Sequence, residues 1–222
     1  MTTFQRARSE EQREIRRQAI LDVAATMLTE MPVADLTLNE LSRRVGLAKS
    51  NVLRYFESRE AVLLELMHTF LEEVLEELAD QMATGIDPDL PPERRAEQLA
   101  DVLSQSLSAH PVLCDLFGAQ SAVLERNVSV EVAIRHKRAS LDTLGRMDAL
   151  VRRHLPELGD NTRSVCLLTM IMAGALSVYF PPPASVAAAY EADPSLEQFD
   201  DDLCMTLRTA VLTGLVGGLP RG

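Results

Sequence analysis

The stretch that decides the fold is TLNELSRRVGLAKSNVLRYFESRE, residues 37–60. Thr37 and Glu40 have the spacing of a capping box, in which the hydroxyl accepts the backbone N–H three residues on and the carboxylate reaches back to the cap. Gly46 is suited to the left-handed conformation that ends a helix. Between them, apolar residues recur at three- and four-residue spacing and predict one buried face on a short helix: Leu38, Leu41 and Val45.

A second short helix is predicted a few residues after Gly46. Its inward face is expected to carry Val52, Leu53 and Phe56. Its outward face is expected to carry four polar residues: Lys49, Ser50, Asn51 and Arg54. Two short helices joined through a glycine-containing turn are typical of a helix-turn-helix, whose second helix lies in the major groove of DNA. The alternative is a capped helical hairpin that serves only as scaffold.

The run GLAKSNVLRYFESREAVL, residues 46–63, resembles the DNA-binding signature of the tetracycline-repressor (TetR) family. The resemblance covers about residues 15–65 at the level of the motif. Two positions depart from the pattern: Ala48 stands where Ser or Thr usually caps the recognition helix, and Leu53 where the family commonly has a tyrosine that touches a phosphate. The positions in register are Tyr55, Phe56, Ser58, Arg59 and Glu60.

The resemblance implies an all-α protein with two parts. Residues 1–57 would form a three-helix helix-turn-helix DNA-binding domain, and residues 58–222 a helical ligand-binding and dimerisation domain. It also implies a transcriptional regulator, most often a repressor, that binds a near-palindromic double-stranded operator as a homodimer. A small molecule that enters the body would shift the long fourth helix, change the spacing of the heads and lower DNA affinity. The alternative is a helical DNA-binding dimer or adaptor without a ligand, which would lack a cavity in its body.

Charge is distributed unevenly along the chain. The 222 residues carry a net charge of −11, yet residues 1–59 contain ten Lys/Arg against eight Asp/Glu, whereas the remainder contains twelve against 25. A basic head on an acidic body is the asymmetry expected of a protein that reads DNA with one end. The chain also lacks Trp and has few aromatic residues, which suits an all-helical protein.

The other sequence signals argue against a catalytic or metal-binding protein. The three cysteines form no C-x-x-C pair, which favours buried free thiols over a zinc site and leaves a redox sensor as an unsupported alternative: Cys114, Cys166 and Cys204. The four histidines have no metal-ligand spacing and lie beside no catalytic motif: His68, His110, His136 and His154. We therefore expect no enzyme activity, no metal and no cofactor.

Nothing in the sequence predicts a membrane protein. The N-terminus lacks the apolar core of a signal peptide. The apolar run at residues 165–180 is shorter than the roughly 20 residues that cross a bilayer. We expect a soluble, cytoplasmic protein.

Nine helices are predicted in all. The first runs from a cap at about Ser9 to Glu30, and Ser58 caps a fourth helix more than about 30 Å long, given a rise of 1.5 Å per residue. The others are the two helices of the helix-turn-helix and five in the body, at about residues 93–109, 111–125, 129–154, 161–179 and 196–219. The acidic run at residues 200–202 lies near the last helix start, where the helix dipole explains it.

Nine residues are candidates for DNA contact. Lys49, Ser50 and Asn51 are best placed for base edges. The other candidates, mainly for phosphates, are Arg16, Arg17, Thr37, Arg43, Arg54 and Tyr55. For the arginines of the first helix the alternative is a solvated face paired with neighbouring glutamates.

The ligand candidates are apolar and flexible side chains of the body, which suit an apolar ligand of variable shape. They are Met67, Phe70, Leu103, Leu107, Phe117, Leu144, Met147 and Met170. His110 and His136 are the candidate polar anchors. The alternative is that the same residues form an ordinary core.

Small residues recur at every fourth position in the last two helices. They are Thr169, Ala173 and Ser177 in one, and Ala210, Gly214 and Gly218 in the other. Because small side chains allow helix backbones to approach closely, this pattern predicts a helix–helix interface, most simply that of a two-fold dimer. The alternative is packing of these helices within one chain.

Overall fold

The computed structural model describes residues 3–197, 199 and 202–220, with side chains from residue 10 onward. Within these ranges the chain forms ten α-helices, and the predicted all-α fold is confirmed. They are α1 (Thr3–Glu30), α2 (Leu38–Val45), α3 (Lys49–Val52), α4 (Arg59–Gly85), α5 (Pro92–Ser108), α6 (Pro111–Ala119), α7 (Val130–His154), α8 (Thr162–Ser177), α9 (Ala184–Ala192) and α10 (Leu203–Gly218). None of the helices described is both long and apolar enough to cross a membrane.

Three predicted helices have different bounds in the structure. The first begins at Thr3 rather than near Ser9. The helix predicted from residue 196 begins at Leu203, because Asp202 is its cap and accepts the Met205 N–H at 2.9 Å. The helix predicted over residues 111–125 ends at Ala119 and continues as a π-helical turn, Gln120–Leu124. Residues 200 and 201 of the acidic run lie outside the described residues.

The local signals of the helix-turn-helix appear as predicted, with one exception. The Thr37 hydroxyl accepts the Glu40 N–H at 3.2 Å, Gly46 adopts φ 73°, and Ser58 Oγ accepts the Ala61 N–H at 3.1 Å. The Glu40 carboxylate does not reach back to the cap. It accepts hydrogen bonds from Arg43 and Arg44 instead, because two guanidinium groups compete more strongly than one backbone N–H.

Leu53 is a correction to the predicted inward face of α3. Val52 and Phe56 are buried as expected, whereas Leu53 is 41% exposed. Val52 and Phe56 are four residues apart and share one side of the helical turn, while Leu53 lies about 100° around it. The position where the family commonly carries a phosphate-contacting tyrosine is therefore on the outer surface.

The body is organised around α4, whose 27 residues span about 40 Å. One side of α4 packs against α5 and α7, and α8 packs against α6, α7 and α10. The helix α5 also packs against α10, where Arg208 forms an ion pair with Asp101 of α5. Each long helix therefore has at least two neighbours within the chain.

The helices α8 and α10 pack against each other within one chain, and several of their small residues lie at packing contacts. Thr169 and Ala173 are buried, and a Cβ added at Gly218 would lie 3.0 Å from Leu158 and 3.5 Å from Val165. This is the intrachain alternative, so the small-residue pattern carries no evidence for a dimer. The pattern alone could not distinguish the two because close helix packing has the same steric requirement in both cases.

A second close approach joins α6 to α8. A Cβ added at Gly174 would lie 2.5 Å from the Gly118 backbone nitrogen and 2.7 Å from Phe117. Only a glycine lets the two backbones cross at this distance. This crossing sets the position of the α8 side chains that follow it.

We expect Gly174→Ala to destabilise the protein by roughly 1–3 kcal/mol, the usual cost of forcing extra volume into a packed site. Gly214→Ala is the matched control on α10, since its nearest heavy atom would be 4.0 Å away. In that helix alanine should be neutral or stabilising by up to about 1 kcal/mol. Thermal and urea unfolding of the two variants compares them. Equal stability of both would show that the α6–α8 crossing is looser than described.

Candidate DNA-binding surface and ligand cavity

The outer surface of α3 and the turn after it is polar. Four side chains are exposed there, as the sequence predicted: Lys49, Ser50, Asn51 and Arg54. Backbone N–H groups of Tyr55 and Phe56 donate to the Val52 carbonyl at 2.9 and 3.1 Å, which continues the helical turn past the end of α3. Ala48 occupies the N-cap position and offers no side-chain acceptor.

The remaining DNA-contact candidates fall into two groups. Arg16 and Thr37 are exposed, and Tyr55 is half-buried. Arg17 is directed inward: its guanidinium pairs with Glu65 of α4 and lies 4.6 Å from the centre of the Phe56 ring. Arg17 therefore connects α1 to α4, whereas the sequence analysis expected it to contact a phosphate.

Arg43 belongs to a network of ion pairs on α2. Its Nη2 lies 2.6 Å from Glu40, and Arg44 bridges Glu40 to Glu30. Hydrogen bonds from Arg43 and Arg44 lower the pKa of Glu40 to about 2, so the carboxylate keeps its charge well into the acidic range. The Arg43 side chain is still 71% exposed.

Four other cations of the head have no acidic partner. Among the residues described, no ion pair is formed by Arg13, Arg16, Lys49 or Arg54. Exposed cations without an acidic partner attract the phosphate backbone of DNA.

Two hydrogen bonds attach this head to α6 and α7 of the body. Glu57 accepts the N–H of Ser129, the cap of α7, at 2.6 Å, and this bond lowers the pKa of the Glu57 carboxyl. Asp115 of α6 accepts the Val33 N–H at 2.8 Å. Both join residues more than 70 positions apart, so no local sequence signal could have identified them.

A cavity of about 680 Å³ lies in the body between α4, α6, α7, α8 and the π-helical turn. Its volume is within the roughly 300–1,000 Å³ of small-molecule sites. Four ligand candidates line it: Met67, Phe117, Leu144 and Met170. The apolar lining is completed mainly by residues that the sequence analysis did not select: Leu71, Leu141, Leu167, Ile171, Ala175 and Val178.

Six ligand candidates lie elsewhere. Leu103, Leu107 and Met147 are core residues, and Phe70 is only partly buried outside the lining. Leu103 and Leu107 lie outside because α5 packs between α4 and α10 and contributes no lining residue. His110 also lies outside, where its Nδ1 is 2.7 Å from the Ser106 carbonyl.

The cavity is open to solvent on one side of the single chain. Its mouth is bordered by Leu141, Leu167 and Ile171, which are all about half exposed in the single chain.

His136 is buried behind the residues that line the cavity. Its Nδ1 lies 2.9 Å from Nε2 of His68, which does line the cavity. Its Nε2 lies 3.1 Å from both Glu125 Oε1 and Gln120 Nε2. Burial lowers the pKa of His136. Burial together with the neighbouring His136 lowers the pKa of His68 to about 4, so the His68 ring is neutral at neutral pH.

The polar part of the lining contains one charged residue within the described part of the chain, Lys137. Its Nζ lies 2.7 Å from Glu125 Oε1. The uncharged polar lining residues are His68, Gln120, Ser121 and Ser140. Gln120 and Ser121 come from the π-helical turn, a local irregularity often found at functional sites, which no motif in the sequence marks.

The thiols and acidic groups suggest no further chemistry. Cys114 and Cys166 are buried, and burial raises the pKa of each to about 12, which disfavours the reactive thiolate. Cys204 is half-buried. Across the residues described, no three His, Cys, Asp or Glu side chains are grouped to hold a metal ion.

Two sequence profiles of known protein families match the chain. The sequence profile of bacterial regulatory proteins of the tetR family matches residues 20–66. The profile of the tetracyclin repressor-like C-terminal domain matches residues 71–221.

Individual relatives are more distant. The transcriptional regulator EthR of Mycobacterium tuberculosis is 39% identical over 49 residues, so the match spans 22% of this chain and only 23% of EthR. The structure of the fatty acid degradation regulator FadR from Bacillus halodurans superposes with a TM-score of 0.52 at 17% identity, covering 91% of this chain and 99% of FadR. FadR from Bacillus subtilis, solved in complex with stearoyl-CoA, gives 0.52 at 14% identity with the same coverage. At these identities the structures show a shared fold.

Proposed function

Because the chain belongs to the tetR family of bacterial transcriptional regulators, we propose that it is a repressor released from its operator by a small apolar effector. The chain is a DNA-binding transcriptional regulator. The fold and the family are those of transcriptional regulators rather than of enzymes. Residues 1–57 are proposed as the DNA-binding domain and residues 58–222 as the effector-binding and dimerisation domain.

One observation carries the proposal: neighbouring turns of α4 contact the head and line the cavity. Glu65 pairs with Arg17 of α1, and Met67 and His68 line the cavity. A helix is too stiff to move at one of these turns without the other. A ligand that displaces Met67 would therefore move the head, and this change in orientation supports coupling between effector and DNA.

The cavity also favours this function over the ligand-free DNA-binding dimer. A body that served dimerisation alone would need no space of about 680 Å³ behind the helix that carries the head.

The proposed operator contacts start from the exposed cations. Arg16 and Arg54 would bind phosphates, with Arg43 and Thr37 beside them, while Lys49, Ser50 and Asn51 at the start of α3 would reach base edges. Tyr55 is half-buried and would contribute at most its hydroxyl. Arg17 is assigned to holding α1 against α4.

The proposed dimer interface is the outer face of α8 and α10. Leu168 and Ile171 of α8, together with Met205 and Val216 of α10, are each about half exposed in the single chain. Adjacent apolar residues on two neighbouring helices form the kind of patch that marks a protein interface. A two-fold dimer through this face would present two heads to a near-palindromic operator.

We expect Arg54→Ala to weaken binding to every duplex and to reduce the slope of log affinity against log salt by about 1, because one phosphate contact is lost. Asn51→Ala should instead relax sequence preference, at a cost of roughly 1–3 kcal/mol for the preferred base pair. Fluorescence anisotropy over a salt series, with an operator selected from a random duplex pool, measures both. Arg94→Ala on the exposed surface of α5 is the control. An unchanged slope for Arg54→Ala would show that α3 is presented to DNA differently.

We expect the wild type to sediment as a dimer at micromolar concentration and Leu168→Glu to sediment largely as a monomer, because the charge would be buried without a partner. Ile15→Glu is the matched control, since Ile15 is an equally exposed apolar residue on α1 of the head. Circular dichroism establishes that each variant is folded. A monomeric wild type would rule out the interface and the palindromic operator together.

A further inference from the structure

We propose that the partner subunit closes the mouth of the cavity, so that the effector site is complete only in the dimer. The inference rests on the proposed function, because it concerns the partner and the regulation of the same cavity. It gives the exposed side of α8 two roles, as the dimer face and as the border of the ligand site.

The mouth of the cavity is bordered by exposed apolar side chains. Leu141, Leu167 and Ile171 are about half exposed, and Val178 is 61% exposed. Small-molecule sites usually bury roughly 70–90% or more of the ligand surface. A ligand that filled this cavity in a single chain would leave the part of its surface at the mouth in water. An apolar effector therefore needs a cover over these four side chains.

No segment in the described part of the chain covers the mouth. The lining residues belong to α4, α6, the π-helical turn, α7, and α8 with the residue that follows it. The next helix, α9, has no buried residue, and its main contacts are with the 3-10 turn Pro194–Leu196. The last helix, α10, packs against α5 and α8 and contributes no lining residue. Another molecule has to supply the cover.

The geometry of α8 places the mouth and the proposed dimer face on the same side of the helix. Successive residues of an α-helix are about 100° apart around its axis. Leu167 and Ile171, which line the mouth, are then about 40° apart, and Leu168 of the proposed dimer face lies about 60° beyond Ile171. Ala175, another lining residue, lies only about 20° from Leu168. A partner that packs on Leu168 would therefore also lie over the mouth.

The charge distribution favours a second copy of the chain as this partner. Residues 164–178 contain no charged side chain. The body as a whole is strongly acidic, so two copies would repel each other if they met through a charged face. In a two-fold dimer the same patch is used by both subunits. Each subunit would then cover the mouth of the other with apolar side chains of its own exposed face.

Closure by the partner couples effector binding to dimerisation. The effector would bind the dimer more tightly than the monomer, and by reciprocity it would stabilise the dimer. A dimer contains two such sites. At saturating effector, the dimer dissociation constant therefore changes by the square of the factor that separates the affinities of one site in the dimer and in the monomer.

The test measures binding of the uncharged fluorescent probe N-phenyl-1-naphthylamine to the full-length protein. Leu168→Glu removes the partner without changing a lining residue, and it should bind the probe roughly ten-fold more weakly than the wild-type dimer. That factor corresponds to about 60 Å² of apolar probe surface left in water. The emission maximum of the bound probe should also shift to longer wavelength, because the probe then faces water.

Two further variants define the comparison. Ile15→Glu carries the same change of charge on the head and should keep the wild-type affinity and emission. Leu144→Trp places a larger side chain on the inner wall of the cavity and should prevent binding there. Only the part of the probe signal that Leu144→Trp removes is assigned to the cavity and compared between the wild type and Leu168→Glu.

Sedimentation of the wild type at a series of dilutions decides the inference even where a variant fails to fold. Saturating probe should lower the dimer dissociation constant by roughly 100-fold, the square of the ten-fold effect at one site. An unchanged dimer dissociation constant would overturn closure by the partner. Equal affinity of Leu168→Glu and the wild type for the probe would do the same. Either result would leave the cavity as an effector site within each chain.

Two other outcomes separate this inference from the proposed function. A monomeric wild type that binds the probe in its cavity would overturn closure by a second copy and would retain the effector site. Absence of probe binding in every form of the protein would overturn the apolar effector site and the inference with it. Operator binding by the head is measured separately.

Discussion

The structure depends on α4 being one uninterrupted helix from the head to the far end of the body. Ser58 caps it, and the Arg59 guanidinium fixes its first turn to the head by donating to the carbonyls of Ala34 and Leu36 at 3.1 and 2.8 Å. Glu65 adds the ion pair to α1. From Met67 onward, residues of the same helix line the cavity or are buried in the core of the body. The head therefore has no independent orientation: it follows α4, and the bond between Glu57 and Ser129 opposes any movement of α4 relative to α7.

The charge pattern of the head follows from what each cation pairs with. Arg44 forms ion pairs with Glu30 and Glu40, and Arg43 forms one with Glu40. Arg17 forms an ion pair with Glu65. What remains for long-range attraction is a small group of cations on the α1 and α3 surface, on a chain whose body is strongly acidic. The acidic body repels the phosphates of DNA, so electrostatics favour approach of the protein to DNA by its head. The net charge of the body therefore helps to orient the protein on DNA.

The sequence predicted contacts between residues within about four positions of each other. It did not predict contacts between elements that are distant in the chain. The caps at Thr37 and Ser58 and the turn at Gly46 were predictable because donor and acceptor are neighbours in the chain. Leu103 and Met67 have the same helical periodicity, yet one is core and the other lines the cavity, because the neighbours of α5 and α4 differ. The histidines show the same limit: His136 was selected from sequence, whereas the structure places it behind His68.

The position of α8 explains how a cavity inside one chain can change the distance between two heads. One face of α8 lines the cavity through Leu167 and Ile171, and the adjoining Leu168 belongs to the proposed dimer face. In the proposed dimer, α8 is held by the partner and by the Gly118–Gly174 crossing, where the backbones leave no room to slide. The opposite wall, α4, has no backbone crossing of this kind and is held by its packing and, through the head, by the Glu57–Ser129 hydrogen bond. A ligand that needs more space between the two helices must therefore displace α4, and this displacement carries the head away from its position relative to the partner.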